Sequence, residues 1–222
     1  MVSIMKKYKG IIFDLDGTLL DTLTDIADSC NKALEQFGFT GFTLEEYKVK
    51  VGSGFKVLIE RCVPKETDNT KSLILKAFAQ VYSHNYLNKT IPYEGIIEML
   101  EELNSMGVKL AVNSNKRDDY IEPLISKFFS DIPFVAVYGE RKGIGKKPDP
   151  TTANEIIKLM GLAKEEVLYI GDSDTDIKTA INAGVDGVGV EWGFRTPKEL
   201  RENGAKYIVS KPSEIIEIVK EV

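Results

Sequence analysis

From Gly10 the chain runs through Ile11, Ile12 and Phe13 straight into the polar string Asp14-Leu15-Asp16-Gly17-Thr18. A short apolar run that stops on acidic residues and glycine predicts a strand buried on both faces, as in a parallel sheet. A hairpin closed by Asp16-Gly17 is disfavoured, because no alternating second strand follows. The pattern instead changes period. Leu23, Ile26, Ala27, Cys30, Ala33, Leu34 and Phe37 lie on one helical face, and Gly38 stops that helix. Thr43 with Glu46 three residues on is a capping box that opens a helix to about Val51. Phe55 to Cys62 and Asp68 to Asn88 continue the helical pattern, the last with Leu73, Ala77, Val81 and Tyr82 marking its face. Four helices in succession are too many for one crossover. They predict an all-helical domain over residues 21–90, inserted into a core made of residues 1–20 and 91–222.

Beyond Pro92 helices and apolar runs alternate. Helices are predicted from Gly95 to Ser105, Asp118 to Phe129, Thr151 to Met160, Ile177 to Ala183, Lys198 to Glu202 and Ser213 to Glu221. Strands are predicted at Val108 to Val112, Phe134 to Tyr138, Val167 to Ile170, Gly187 to Val190 and Tyr207 to Val209. That alternation, with short Gly-marked loops, is the pattern of an α/β fold with a doubly wound parallel sheet.

Composition narrows the class. The 222 residues are 43% hydrophobic and 28% charged, which is ordinary for a globular protein with a good core. The formal net charge of −5 and the lack of a dense Lys/Arg tract argue against a nucleic-acid partner. No stretch approaches membrane-spanning length and MVSIMKKYKG has no signal-peptide h-region, so a cytoplasmic protein without a membrane partner is expected. Cys30 and Cys62 lack metal-ligand spacing and fit reduced, buried core positions.

Four apolar strands end in polar clusters: Asp14/Asp16, Ser114/Asn115, Lys146/Lys147 and Asp172/Asp174/Asp176. In a parallel sheet all carboxyl ends share one edge, where open α/β sheets bind ligands. Gathered carboxylates repel one another, and a hard cation such as Mg²⁺ is the usual remedy. With a lysine and a hydroxyl alongside, the set suits phosphoryl transfer, and a carboxylate is a competent nucleophile at phosphorus.

At this point the chain resembles the haloacid-dehalogenase superfamily, whose four motifs occur in order: Asp14-Leu15-Asp16-Gly17-Thr18, Ser114 in VNSNK, Lys147 in KKPDP, and Gly171-Asp172 with Asp176 four residues on. The inserted helices match the family's helical cap of the first type over a Rossmann-like core. DLDGTLLDT, VGSGFKVLIERC, GKKPDP and EWGFRTPKELRENGA carry a finer resemblance to phosphoglycolate phosphatases and their pyrophosphatase relatives. The resemblance implies that Asp14 is the nucleophile, forming an aspartyl phosphate, and that Asp16 is the general acid and base. It implies that Mg²⁺ is held by Asp14, the carbonyl of Asp16 and Asp172, with Asp176 either a ligand or the partner of Lys147. Ser114 and Lys147 would hold the phosphoryl oxygens with backbone amides around Leu15, Asp16 and Asn115. Ser114 stands where relatives often carry Thr, and either supplies the hydroxyl.

The expected activity is a Mg²⁺-dependent phosphatase of a small phosphorylated metabolite, phosphoglycolate first. The alternatives are an inorganic pyrophosphatase, a mutase of the β-phosphoglucomutase kind and a phosphate-sensing binding module without turnover. A monomer or homodimer is expected, with hinges near Leu19 to Leu23 and Thr90 to Glu94. Outside the motifs, His84 reads as solvated or packed, Asp174 as a loop or capping residue, and Trp192 as equally suited to packing or to lining the site. Ser53, Lys56 and Arg61 are candidate contacts for a substrate's distal group, and Arg141 and Lys142 for positive potential at the mouth.

Overall fold

The structure, a computed structural model, describes residues 7–220. Residues 1–6 of the N-terminal stretch considered above, and Glu221 at the end of the last predicted helix, lie outside the described residues. In chain order, β1 (Gly10–Phe13) and the short β2 (Leu20–Asp21) lead into α1 (Leu23–Gln36), α2 (Leu44–Lys48), α3 (Phe55–Cys62) and α4 (Asp68–Asn85). The chain returns through β3 (Ile91–Pro92), α5 (Ile96–Ser105), β4 (Lys109–Arg117), α6 (Asp118–Phe128) and β5 (Phe134–Glu140). It then passes through α7 (Thr151–Met160), β6 (Val167–Gly171), α8 (Asp174–Ala183) and β7 (Asp186–Val190). The last elements are α9 (Pro197–Glu202), β8 (Tyr207–Val209) and α10 (Ser213–Lys220).

Six strands form one sheet in the order β5-β4-β1-β6-β7-β8, each pair of neighbours parallel. β1 is therefore central, and strand order reverses beside it. Its alternate residues feed two separate cores. Ile11 and Phe13 pack with Leu110, Val112, Leu168 and Ile170 under α5 and α10. Ile12 packs with Ala111 and Tyr169 under α7 and α8. A strand buried on both faces has no polar side to show, which is why these runs are continuously apolar.

The insertion from α1 to α4 closes around its own cluster, including Ile26, Cys30, Leu34, Leu58, Phe78 and Tyr82. Cys30 and Cys62 are buried free thiols with Sγ atoms 3.9 Å apart. The capping box at Thr43 and Glu46 is present, and its helix is shorter than expected, ending at Lys48. One helical face is corrected. α4 buries Ile74 and Phe78 beside the expected Tyr82, while Leu73 is 44% exposed. Both sets share the i, i+4 spacing, and the one with two aromatics takes the core because it removes more surface from water.

Two further differences concern the edges of elements. β4 runs on to Arg117 through the polar residues 113–116, and α8 starts at Asp174, three residues before Ile177. The segments that join insertion to core pair as a two-stranded antiparallel ribbon, Leu20 opposite Pro92 and Asp21 opposite Ile91. The buried Asp25 carboxylate ties the return path down. It accepts from the backbone N–H of Lys89 at 2.9 Å and of Thr90 at 2.9 Å, and from the Thr90 hydroxyl at 2.8 Å. Among the described residues no helix is long and apolar enough to cross a membrane.

Candidate active site

At the carboxyl end of β1 the ladder continues one step, with Asp14 N–H donating to Ile170 O at 2.8 Å. This holds the Asp14 side chain between β4 and β6. Gly17 turns the chain away at φ +86°, and a Cβ there would come within 2.5 Å of Asp172 Oδ2. Only glycine meets both demands. Asp172, just past β6, accepts from Phe194 N–H at 2.8 Å, and the Thr18 hydroxyl lies 3.4 Å from its other oxygen. Asp176, in the first turn of α8, receives the Ser173 N–H at 3.1 Å and the Ser173 hydroxyl at 2.6 Å on one oxygen. Its other oxygen accepts from Lys147 Nζ at 2.7 Å.

Lys147 reaches from the loop after β5 into this trio. Its Nζ also stands 2.7 Å from Asp14 Oδ1, an ion pair off the line of a directed hydrogen bond. The Asn115 side chain fixes the lysine's backbone, accepting from Lys147 N–H at 2.9 Å and donating to Lys147 O at 3.2 Å. The neighbouring Lys146 instead pairs with Glu140 at 2.8 Å on the surface. Of the two lysines, Lys147 is the one that reaches Asp14.

Asp14, Asp172 and Asp176 are all buried, with ligand oxygens within 4.8 Å of one another. Burial, then the nearby Asp176, pushes the Asp14 carboxyl well above the usual carboxylate range, against the pull of Lys147. Burial and Asp176 also raise Asp172, up to about 7. Burial opposes the Lys147 charge, but Asp14 and Asp176 outweigh it and hold that ammonium well above the ordinary lysine value. Three carboxylates against one ammonium leave two negative charges unbalanced in a buried site. Hard oxygen donors with that deficit fit a divalent cation such as Mg²⁺.

The remaining predicted residues line the cavity that opens beside Asp14. Asp16, Ser114 and Asn115 belong to it, as do Ile26, Val51, Phe55 and Leu58 from the insertion. Leu15 is fully buried under the loop. The Asp16 carboxylate lies outside the acidic trio and is engaged by Lys116, with Nζ to Oδ1 at 2.9 Å and to Oδ2 at 3.1 Å. Lys116 was not singled out from the sequence. Its signal was there, two residues past Ser114 on a strand, where period two brings both side chains to one side.

Several residues fall elsewhere. Arg61 is spent on Lys50 O and Ser53 Oγ, and Lys56 is exposed beside Glu60. Arg141 is held by Glu155 of α7 at 2.7 Å. His84 is exposed, and Asp174 pairs with Lys178 at 2.7 Å. Trp192 packs against the core and donates its indole N–H to Thr18 O at 2.9 Å, bracing the loop that carries Gly17.

A family model described as haloacid dehalogenase-like hydrolase matches residues 11–190, and the chain belongs to that family. With this fold and site, and relatives of the following kind, its class is phosphoric monoester hydrolase. The chain is 34% identical over 204 residues to a phosphoglycolate phosphatase of Mesorhizobium japonicum, covering 90% of this chain and 89% of that one. It is 30% identical over 214 residues to a phosphoglycolate phosphatase of Aquifex aeolicus, covering 94% and 95%. A solved structure from Lactobacillus delbrueckii, described as a candidate phosphoglycolate phosphatase, superposes with a TM-score of 0.92 at 35% identity, covering 97% of this chain and all of that one.

Proposed function

We propose that this chain is a Mg²⁺-dependent phosphatase of a small phosphorylated acid, phosphoglycolate first, working through an aspartyl phosphate on Asp14. The observation that carries this is the buried set of Asp14, Lys147, Asp172 and Asp176, which combines a nucleophile, an ammonium and a divalent-cation deficit. The names of the relatives supply the substrate.

In this reading an Asp14 oxygen attacks phosphorus in line. The new O–P bond forms as the bond to the leaving oxygen breaks, and Asp16 gives that oxygen its proton. Water then attacks the aspartyl phosphate, its proton passes to Asp16, and the Asp14 carboxylate is restored. Lys147, the Ser114 hydroxyl and the amides of Leu15, Asp16 and Asn115 hold the phosphoryl oxygens where charge gathers. Asp176, with both oxygens engaged, anchors Lys147. Bound by Asp14, Asp172 and the Asp16 carbonyl, Mg²⁺ would supply charge neutralisation at the phosphoryl group.

The insertion, residues 21–90, acts as a cap that pivots on the ribbon of β2 and β3 and excludes water when shut. The cavity next to Asp14 has a volume of about 30 Å³, enough for roughly two waters. A substrate enters with the cap open. Phosphate release from phosphoglycolate, pyrophosphate and hexose phosphates, each with Mg²⁺ and with a chelator, tests the reading. Metal-dependent release led by phosphoglycolate is expected, and no metal-dependent release from any ester sinks it.

A further inference from the structure

The ceiling of the cavity gives a substrate's far end no charge. Ile26, Val51, Phe55 and Leu58 are apolar, and among the described residues that line the cavity Lys116 is the only cation. The cap cations that could have reached in are turned away, Arg61 onto carbonyls and Lys56 to solvent. Lys116 itself comes from the core, and its side chain is completely buried.

Its surroundings belong to both bodies of the protein. Nζ bonds the Asp16 carboxylate and donates to the Tyr82 hydroxyl of α4 at 2.7 Å, and it sits over the rings of Phe55 and Tyr82. An ammonium has three protons, and the two Asp16 oxygens at 2.9 and 3.1 Å and the Tyr82 hydroxyl at 2.7 Å take all three. An incoming anion therefore displaces one of these bonds, the Tyr82 hydroxyl being the neutral partner. Lys116 and Ser114 are two residues apart on β4, a step of about 6–7 Å along a strand. The phosphoryl pocket at Ser114 and Lys147 thus has a buried cation one short step outward. A two-carbon acid carrying a phosphate spans such a step.

We propose that the Lys116 ammonium binds the anion at the non-reacting end of the substrate, a carboxylate beside the ester carbon, and so selects phosphorylated acids over neutral phosphate esters. This rests on the phosphatase reading above and names the contact that would set its substrate class. A second phosphate, as in pyrophosphate, offers the same anionic chemistry, so the experiment carries an arm for it. Burying a carboxylate without a cation is costly, and the apolar ceiling offers no other partner. The neutral analogue forgoes the charge-assisted bond.

The experiment compares 2-phosphoglycolate with 2-hydroxyethyl phosphate, which replaces the carboxylate by a neutral CH₂OH of similar size. The wild type should favour the acid in kcat/KM by about 10–100-fold, the worth of a hydrogen bond to a charged group. Lys116→Met and Lys116→Gln should bring that ratio to within about threefold of one, mainly through KM for the acid, and Lys116→Arg should recover part of it. Thermal melts accompany each variant, because Asp16 loses a partner in all but the arginine. If both esters slow in proportion and the ratio stays at the wild-type value, Lys116 serves Asp16 alone and the proposal is overturned.

Calorimetry in an Asp14→Asn background reads the site without turnover. A Lys116-dependent affinity gap between the two esters supports the proposal even if the wild type hydrolyses neither, and in that case the phosphatase reading is what fails. Turnover of the acid with no affinity gap leaves the phosphatase reading standing and removes Lys116 from it. Pyrophosphate that binds more tightly than 2-phosphoglycolate and loses more with Lys116→Met would make the distal group a phosphate and overturn the carboxylate assignment.

Discussion

Asp14 and Phe55 face one cavity from opposite sides, and they are held in opposite ways. Asp14 projects from a central strand, is ion-paired to Lys147, and belongs to a polar set spread over the ends of β1 and β6, the start of α8 and the loop after β5. Phe55 sits in a cluster of rings, edge-on to Phe78 at 4.8 Å and to Tyr82 at 5.2 Å. The polar links that join the two walls include Lys116 to Tyr82, Asn115 to Gly52 O, Tyr120 to Ala79 O, and Arg195 to Lys48 O and Val51 O. The charged groups of the reaction therefore stay in one rigid body, so opening the cap would leave their geometry intact. Preorganised dipoles and charges need no rearrangement at the moment of reaction, and the apolar wall contributes by shutting out water. Changes in the core wall should then act on kcat, and changes in the cap wall or its links on KM.

The largest effect tests the core wall directly. Asp14→Asn should cut kcat by at least about 10⁴-fold, the scale of losing a nucleophile, with the fold retained by circular dichroism. Residual turnover near the wild-type rate would move the nucleophile elsewhere and dissolve the contrast between the walls. Lys147→Met should cost about 10²–10³-fold in kcat, as for loss of one transition-state donor. Because it strands Asp14 and Asp176 without their shared cation, it should also destabilise the metal-free protein by about 3–5 kcal/mol. Urea unfolding without metal checks the second half. An unchanged midpoint would mean that the pair is not buried as described.

The core wall was legible in the sequence because carboxylates interrupt apolar runs, and that break marks a strand end whatever the surrounding topology. Asp14 and Asp172 stood out in this way, while the resemblance to the family singled out Ser114 and Lys147 from the polar clusters that hold them. The cap wall was legible only as helices. α4 could have turned either of two i, i+4 faces inward, and packing against Phe55 drew Phe78 in beside the expected Tyr82, which meets Tyr120. The two-residue strands β2 and β3 are too short to carry a period at all. Contacts across the insertion, such as Lys116 to Tyr82 or Asp25 to Thr90, join residues far apart in the chain and leave no local signature. What the sequence hid is the set of links between two bodies whose interiors it described well.

An effect of middle size concerns charge in the core wall. Asp172 rises from the ordinary carboxylate value of 3.8 to about 7 in the folded chain, and Asp14 moves in the same direction. A carboxyl raised on folding stabilises the protein fully below its unfolded value and loses that contribution as pH climbs through the folded one. The window is therefore about pH 4 to 7. Lys147, raised from an already high value, stays charged in both states across it and adds no slope. The metal-free protein should melt lower at pH 8 than at pH 5, by up to roughly 4 kcal/mol or on the order of 10 °C. Mg²⁺ should restore most of the loss at pH 8, since binding the folded state alone stabilises it. A melting temperature indifferent to both pH and Mg²⁺ would mean that the acidic trio carries no unbalanced charge.

The smallest effect probes a link between the walls. Arg195 belongs to the loop after β7, next to Phe194, whose N–H holds Asp172 and whose ring packs into the cap cluster. Its guanidinium donates to Lys48 O and to Val51 O, carbonyls at and just past the end of α2 in the cap. Carbonyls at a helix end carry partial negative charge, so a cation there is favourable. The bonds span core and cap and so exist only while the two bodies are apposed. Arg195→Ala should therefore cost about 1 kcal/mol of closure, the usual net value of a hydrogen bond at a half-exposed site. Closure is coupled to substrate binding, so KM should rise about fivefold, with kcat within a factor of two. Limited proteolysis in the ribbon near Ile91 should quicken, because the open form is more populated. A fall in kcat with KM unchanged would place the effect on Asp172 through Phe194. Arg195 would then brace the core wall, and the division of labour between the two walls would fail at the one loop that touches both.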